Sequence, residues 1–344
     1  MQRKPRLAIN GFGRIGRAIT KLNIKYQKFD LILINDLNPN CENLTYLLNY
    51  DSTYGRLSEL AKSRDGQMII GEDSVKVSAC KALTEIPWSE LDVDVLIDAS
   101  GVSENVSVAK DLTRLGMLKK AVITHSSDEV DREIILGVNS EDLINEDSVI
   151  SSSICDANAI AHPLQWIESA FGISGGAVTT LHPWLSYQNL VDGPSISQSN
   201  PGVVWTDFAL GRAAGESLIP KNTTALTATE KVLPSIAGKL LSFSYRIPTR
   251  TVASSDLTIQ LKSAVTKEEL EQFLQEQCAQ SSYVRANYES LVSVDYEQDE
   301  ASAILDLQWI KAMNNTVKLI LWYDNEWAYS ARALELAERC LVES

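Results

Sequence analysis

Residues 6–36 read RLAINGFGRIGRAITKLNIKYQKFDLILIND. A short apolar run ends at Asn10, glycines follow at Gly11, Gly13 and Gly16, a helix-like stretch begins there, and a second apolar run closes on Asp36. The order is strand, tight turn, helix, strand, the opening unit of a parallel α/β sheet. Glycines in such a turn let the backbone approach a pyrophosphate, and the helix N-terminus binds its negative charge. Asp36 lies 20 residues past Gly16, the distance at which an acid accepts the adenosine ribose hydroxyls. It would repel a 2′-phosphate, and LNPNCEN after it holds no Lys or Arg to receive one, so the expected cofactor is NAD rather than NADP. A plainer reading, glycines that merely permit a tight turn, covers the three glycines but not the strand, helix and acid together.

Outward from this unit, VDVLIDAS and KAVITH continue the β-α-β rhythm to about Val149. The texture then changes. A helix-like segment from Asp156 to Phe171 is followed by long alternating runs (GGAVTTLHPW, KLLSFSYRIPT, SSDLTIQLKSA, TVKLILWYD), interrupted by a helical VTKEELEQFLQEQCA. Alternation of this kind predicts an α+β domain with a mostly antiparallel sheet. A length of 344 residues suits two domains. The expected division is 1–154, joined by a C-terminal helical stretch 324–344, against 155–323.

Composition excludes several classes. With 44% hydrophobic and 22% charged residues the chain is neither disordered nor fibrous. Its 31 basic and 45 acidic residues leave a net charge of -14, which repels nucleic acid and anionic lipid. No apolar run approaches the roughly 18 residues of a membrane span, and MQRKPRLAIN has no signal-peptide core, so a cytoplasmic protein is expected. Five cysteines without a C-x-x-C spacing and only three histidines point to neither disulfides nor a metal site.

Cys155 in SSSICDANAIAHPL stands at a strand-to-helix junction, where a helix N-terminus is expected to stabilise a thiolate and lower its pKa. It is the candidate nucleophile. His182, 27 residues on at the end of GGAVTTL, could emerge at the same edge and act as acid/base, although a strand-end histidine is more often a packed or solvent-bonded side chain. His162 and His125 read as structural or rim positions.

INGFGRIGR, LLNYDSTYGR, IPWSELDVDVLID, SSSICDAN, TTLH, YRIPT, SVDY and WYDNEWAYS stand in the order found in glyceraldehyde-3-phosphate dehydrogenase and its sister, erythrose-4-phosphate dehydrogenase. The chain resembles that family along nearly its whole length. The resemblance implies a homotetramer of subunits with a Rossmann NAD-binding domain and a catalytic domain, acting on a phosphorylated aldehyde. Cys155 would attack the aldehyde, His182 would serve as base, and hydride would pass to NAD. Asn325 would orient the nicotinamide amide with Tyr329 nearby, and Arg212 and Arg246 would hold phosphate groups. Gly11, Phe12, Gly13, Arg14, Ile15, Gly16, Asp36, Ser100, Gly101 and Thr124 form the expected cofactor set, and Ser153, Asp156, Thr223 and Thr224 complete the expected substrate or phosphate set.

The chain departs from the family pattern where phosphate should bind. Asp156 and Ala157 stand where two threonines usually follow the cysteine, Leu185 replaces a phosphate-binding threonine, and Thr224 replaces a glycine. The loop before Arg212 is about ten residues longer than usual, and Ser195, Ser197, Gln198 or Ser199 there could supply substitute donors. Three readings therefore stay open: a phosphorylating dehydrogenase, an erythrose-4-phosphate-type enzyme that hydrolyses its thioester, and a catalytically weak NAD-binding regulatory paralogue.

Overall fold

The apolar runs become strands because their side chains are covered on both faces: Leu7, Ala8 and Ile9, and beside them Val95, Leu96 and Ile97, are completely buried. Such runs belong in a parallel sheet with layers on each side. The computed structural model describes residues 3–196 and 204–342, so Ser197, Gln198 and Ser199 lie outside the described residues. It divides the chain into two compact units, the first holding residues up to Ile134, Glu141–Ser153 and those from Ser330 on, the second Ile135–Ser140 and Ile154–Tyr329.

In the first unit the sheet runs, edge to edge, Arg132–Glu133, Val149–Ser151, Lys120–Ile123, Val95–Asp98, Arg6–Asn10, Asp30–Asn35 and Asp73–Ser78, all parallel, and ends in an antiparallel hairpin of Gln67–Ile70 and Lys62–Arg64. Strand order reverses at Arg6–Asn10, the first strand of the chain, which pairs with Asp30–Asn35 on one side and Val95–Asp98 on the other. Ligands of open α/β sheets bind outside the strand carboxyl ends at such a point. Here the three ends are tied: Asn10 Nδ2 donates to Asp98 Oδ1 and Asn35 Nδ2 to Asn10 Oδ1, each at 2.8 Å.

The second unit holds a sheet in the order Ile219–Lys221, Leu240–Ile247, Ile173–Pro183, Ala253–Leu261, Thr316–Tyr323, Ala303–Asp306 and Val284–Asn287. Most of its pairings are antiparallel, as expected, but Ile173–Pro183 runs parallel to Leu240–Ile247, and Val284–Asn287 to Ala303–Asp306. The first exception follows from the connection: a long crossover carrying the helix Ala225–Val232 returns the chain in the same direction. The helix Cys155–Phe171 buries Ala157, Ile160, Ala161, Leu164 and Ile167 in the same core as Val178, Leu257 and Leu319.

Two stretches group differently from the expected division. Residues 135–140 belong with the second unit, where a Cβ on Gly137 would come within 2.4 Å of the Tyr283 ring. Residues 324–329 do too: Asp324 accepts from Gln298 N at 2.9 Å and from Thr251 Oγ1 at 3.3 Å, so only the part of helix Trp327–Val342 from Ser330 on falls in the first unit. Among the described residues no helix is long and apolar enough to cross a membrane.

Candidate active site

The glycine turn shows what each glycine does. Gly11 has φ +87°, and a Cβ there would lie 2.7 Å from the backbone of Ala99 and Ser100. A Cβ on Gly16 would lie 2.1 Å from the Gly11 carbonyl oxygen, so this position seats the helix against the turn. Gly13 meets nothing within 4 Å, and it caps the helix Arg14–Tyr26 with no side-chain acceptor and no acid in the first turn. The first amide N–H groups are thus left for an anion. That open, unshielded helix end fits a dinucleotide pyrophosphate.

Asp36 holds this turn. One carboxylate oxygen accepts from Phe12 N at 2.7 Å and the other from Asn38 N at 2.9 Å. A carboxylate has about four lone-pair sites, so acceptor capacity for ribose hydroxyls remains. The Phe12 side chain is buried and its amide donates to Asp36, so Phe12 anchors the turn from inside. Arg14 is paired with Asp51 at 2.7 Å. Ser100 Oγ accepts from Val102 N, Gly101 adopts φ +73°, and Thr124 Oγ1 donates to the Asp98 carbonyl, so these three shape the neighbouring strand ends. Asp36→Asn should weaken NAD binding about tenfold while narrowing the NAD-over-NADP preference, since a charge-assisted acceptor is lost together with the repulsion of a 2′-phosphate. Titration calorimetry with both cofactors measures it, and an unchanged ratio would sink the assignment.

In the second unit Cys155 opens its helix and His182 sits near the end of Ile173–Pro183, and the register brings their side chains together. Sγ lies 3.7 Å from His182 Nε2. The other ring nitrogen, Nδ1, is 2.8 Å from the Pro183 carbonyl oxygen. A carbonyl only accepts, so Nδ1 carries the hydrogen and Nε2 presents a lone pair to the thiol. Asp156 is buried and its Oδ1 accepts from the Tyr323 hydroxyl at 2.7 Å and from Sγ at 3.6 Å. Ligand-type atoms of Cys155, Asp156 and His182 all fall within 4.8 Å of one another.

The charges of this cluster overturn one expectation. Burial, then the Asp156 charge, raise the Cys155 thiol well above its ordinary value, against the opposing pull of Arg246 and the Asp156 amide. Cys155 keeps some exposed surface, and its surroundings favour the thiol over the thiolate. Burial and then Arg246 push His182 down to about 4, with Asp156 pulling the other way. Burial and Asp156 likewise keep the Tyr323 phenol protonated, as a donor must be.

The remaining expected substrate residues divide. Arg246 joins the cluster: it is 8% exposed, donates from Nη2 to the Tyr187 hydroxyl at 3.2 Å, and has a buried Nε with no partner among the described residues. Arg212 does not; it is exposed and paired with Asp192 at 2.8 Å. Ser153 belongs to the first unit, at φ +60°, and its hydroxyl donates to Glu133 Oε1 at 2.6 Å. Thr223 Oγ1 accepts from Ala225 N at the start of helix Ala225–Val232, and Thr224 caps that helix without a side-chain bond. Leu185 is half-buried with its amide on Gln188, and Ser195 is buried. Asn325 is 5% exposed and, among the described residues, its buried Oδ1 finds no donor, while Tyr329 shares a narrow crevice with Cys155, Asn158 and Ser302. Sequence reading missed Tyr323 and Lys221, whose relevance lies only in the sheet register, and Tyr187, which the turn after Ile173–Pro183 brings to Arg246.

Residues 5–106 match the model of the glyceraldehyde 3-phosphate dehydrogenase NAD binding domain, and residues 154–325 that of the C-terminal domain. The chain is similar to a cytosolic glyceraldehyde-3-phosphate dehydrogenase of Arabidopsis thaliana, 34% identical over 339 residues covering 97% of each chain. It is also 34% identical to the cytosolic enzyme of Sinapis alba, again over 97% of each chain, and 32% identical to that of Gracilaria gracilis, over 96% of this chain and 97% of the relative. With both domains matched in order and the similarity running end to end, the chain belongs to the glyceraldehyde-3-phosphate dehydrogenase family, as an oxidoreductase with that family's NAD-binding domain.

Proposed function

We propose that the protein oxidises a phosphorylated aldehyde with NAD through a thioester on Cys155. The observation that carries this is the placement of His182: its Nε2 lone pair is 3.7 Å from the thiol while Nδ1 is held on the Pro183 carbonyl. Because thiol and imidazole are both neutral at rest, proton transfer accompanies attack. As Sγ bonds to the aldehyde carbon, Nε2 takes the thiol proton and returns it to the aldehyde oxygen, giving a thiohemiacetal. His182 then takes the hydroxyl proton while the carbon gives up hydride, and the thioester remains on Cys155. NAD, when bound, would supply the hydride acceptor, and Asn325 would hold its amide. An acyl acceptor finally displaces Sγ, which leaves with the proton held on His182.

The acceptor is inorganic phosphate in one reading and water in the other. Buried Asp156 and apolar Leu185 favour water, because a carboxylate near an incoming phosphate opposes it by roughly 1 to 3 kcal/mol per phosphate charge at intermediate dielectric. We also infer a homotetramer in the cytoplasm, as the cytosolic relatives suggest, and the charge of -14 supports neither nucleic acid nor membrane partners. The deciding assay follows NADH formation with phosphorylated and free aldehydes, with and without phosphate. A steep, saturable phosphate requirement assigns phosphate as acceptor, indifference assigns water, and no NADH from any phosphorylated aldehyde overturns the proposal in favour of a regulatory paralogue.

A further inference from the structure

We propose that Cys155, Asp156 and His182 form a three-ligand site for a zinc-like divalent cation, and that occupancy by the ion reversibly blocks the thiol. Binding stands on geometry, whereas the block rests on the functional reading above. Two of the ligands open the helix Cys155–Phe171 and the third stands in Ile173–Pro183, 27 residues on, so no ligand spacing along the chain marks the site. A thiolate sulfur, an imidazole nitrogen and a carboxylate oxygen are the ligand types zinc takes. In a tetrahedral zinc site, with bonds of about 2.3 Å to sulfur and about 2.0 to 2.2 Å to nitrogen and oxygen, the ligand atoms stand about 3.4 to 3.6 Å from one another. Here Sγ lies 3.7 Å from His182 Nε2 and 3.6 Å from Asp156 Oδ1. Two edges of the tetrahedron are thus already at its dimensions. The third, from Asp156 to His182, is no longer than 4.8 Å, so at most about 1.4 Å of side-chain movement closes it.

The surrounding contacts suit a ligand set as well. His182 keeps its hydrogen on Nδ1, toward the Pro183 carbonyl at 2.8 Å, the bond that fixes the tautomer and aims the Nε2 lone pair at a metal. The Tyr323 hydroxyl donates to Asp156 Oδ1 at 2.7 Å and holds the carboxylate in place. Asp156 is 6% exposed, and among the described residues its side chain meets only the neutral Tyr323 hydroxyl and Cys155 thiol, with no ion pair. Buried carboxylates are as a rule paired with a cation or bound to a metal. Cys155 is half-buried, which leaves the ion a way in. Arg246 pairs with His182 in the sheet register and Lys221 with Ser244; both act on the His182 ring through space and oppose a further cation, so the ion is held reversibly. On binding, Sγ gives its proton to water and bonds the ion, and the Nε2 lone pair is taken up too. Neither a nucleophile nor a base then remains for attack on an aldehyde.

The test titrates the intact, reduced protein with zinc and with cobalt(II). Zinc affinity by calorimetry should fall at least about tenfold in each of Asp156→Asn, Cys155→Ser and His182→Asn, while an unchanged thermal unfolding profile reports that the variants are folded. Cobalt(II) on the wild type should give a thiolate-to-metal charge-transfer band and the intense visible bands of tetrahedral coordination, and Cys155→Ser should lose the first. Magnesium, which prefers six oxygens, should not compete. Zinc should also suppress NADH formation, EDTA should restore it, and Asp156→Asn should need at least about tenfold more zinc for the same suppression. Zinc affinity in Asp156→Asn within about twofold of wild type, or a cobalt spectrum without the charge-transfer band, would overturn the site. Zinc bound without loss of NADH formation would overturn the block alone. A wild type that oxidises no phosphorylated aldehyde would sink the functional reading and the block with it, while the zinc titration still decides the site without turnover.

Discussion

Cys155→Ser should lower NADH formation from the preferred aldehyde by on the order of 10⁴-fold or more, since no other group in the cluster can carry the acyl intermediate. His182→Asn should lose about 10² to 10⁴-fold in kcat, the usual worth of a positioned general base. The two variants should differ in one respect. At high pH the thiol of His182→Asn should still alkylate at nearly the wild-type rate, because a neutral histidine does not hold the resting sulfur as a thiolate. Iodoacetamide labelling with peptide mapping, run beside steady-state kinetics, separates these effects. Residual turnover above a tenth of wild type in Cys155→Ser would remove Cys155 from the chemistry.

Asp156→Asn should speed alkylation of Cys155 at pH 7 by about tenfold or more and move the whole rate-against-pH curve to lower pH. The sign follows from the reacting species: only thiolate alkylates, and a carboxylate 3.6 Å from Sγ opposes its formation. At an effective dielectric of 20, two unit charges at about this distance interact by roughly 4 kcal/mol, so even partial screening leaves a measurable shift. The asparagine keeps an acceptor for the Tyr323 hydroxyl, which limits structural side effects. A curve that does not move would mean burial alone holds the thiol protonated. Changing Asp156 and Leu185 together to threonine extends the experiment to the acyl acceptor, where dependence on phosphate should increase.

The glycine turn and its flanking strands were legible in the chain because their spacing leaves few alternatives: Gly11 and Gly16 stand where a Cβ would collide with backbone. Cys155 and His182 could be named from their places at element ends, and the structure brings them within contact. What the sequence concealed was the balance of forces on them. A helix N-terminus argues for a thiolate, but burial and the adjacent Asp156 act more strongly, and burial depends on residues far along the chain. The parallel pairing of Ile173–Pro183 with Leu240–Ile247 was hidden for the same reason, since alternation reports which face is inside and not which way the neighbour runs. Lys221 went unnoticed because its importance is a matter of register, three strands meeting across the sheet.

The turn from Gly11 to Gly16 carries a consequence for how nucleotide association is driven. Gly11 N donates to the Asn35 carbonyl at 2.8 Å, Phe12 N to Asp36 at 2.7 Å, and Gly16 leaves no gap between helix and turn. The backbone of this turn is therefore already fixed by strand ends and helix packing. Ordering a loose chain would cost about 1 to 2 kcal/mol for every residue frozen on binding. Here that entropy was surrendered when the domain folded, so the favourable contacts of the incoming dinucleotide pass into affinity with little subtracted for arranging its receptor.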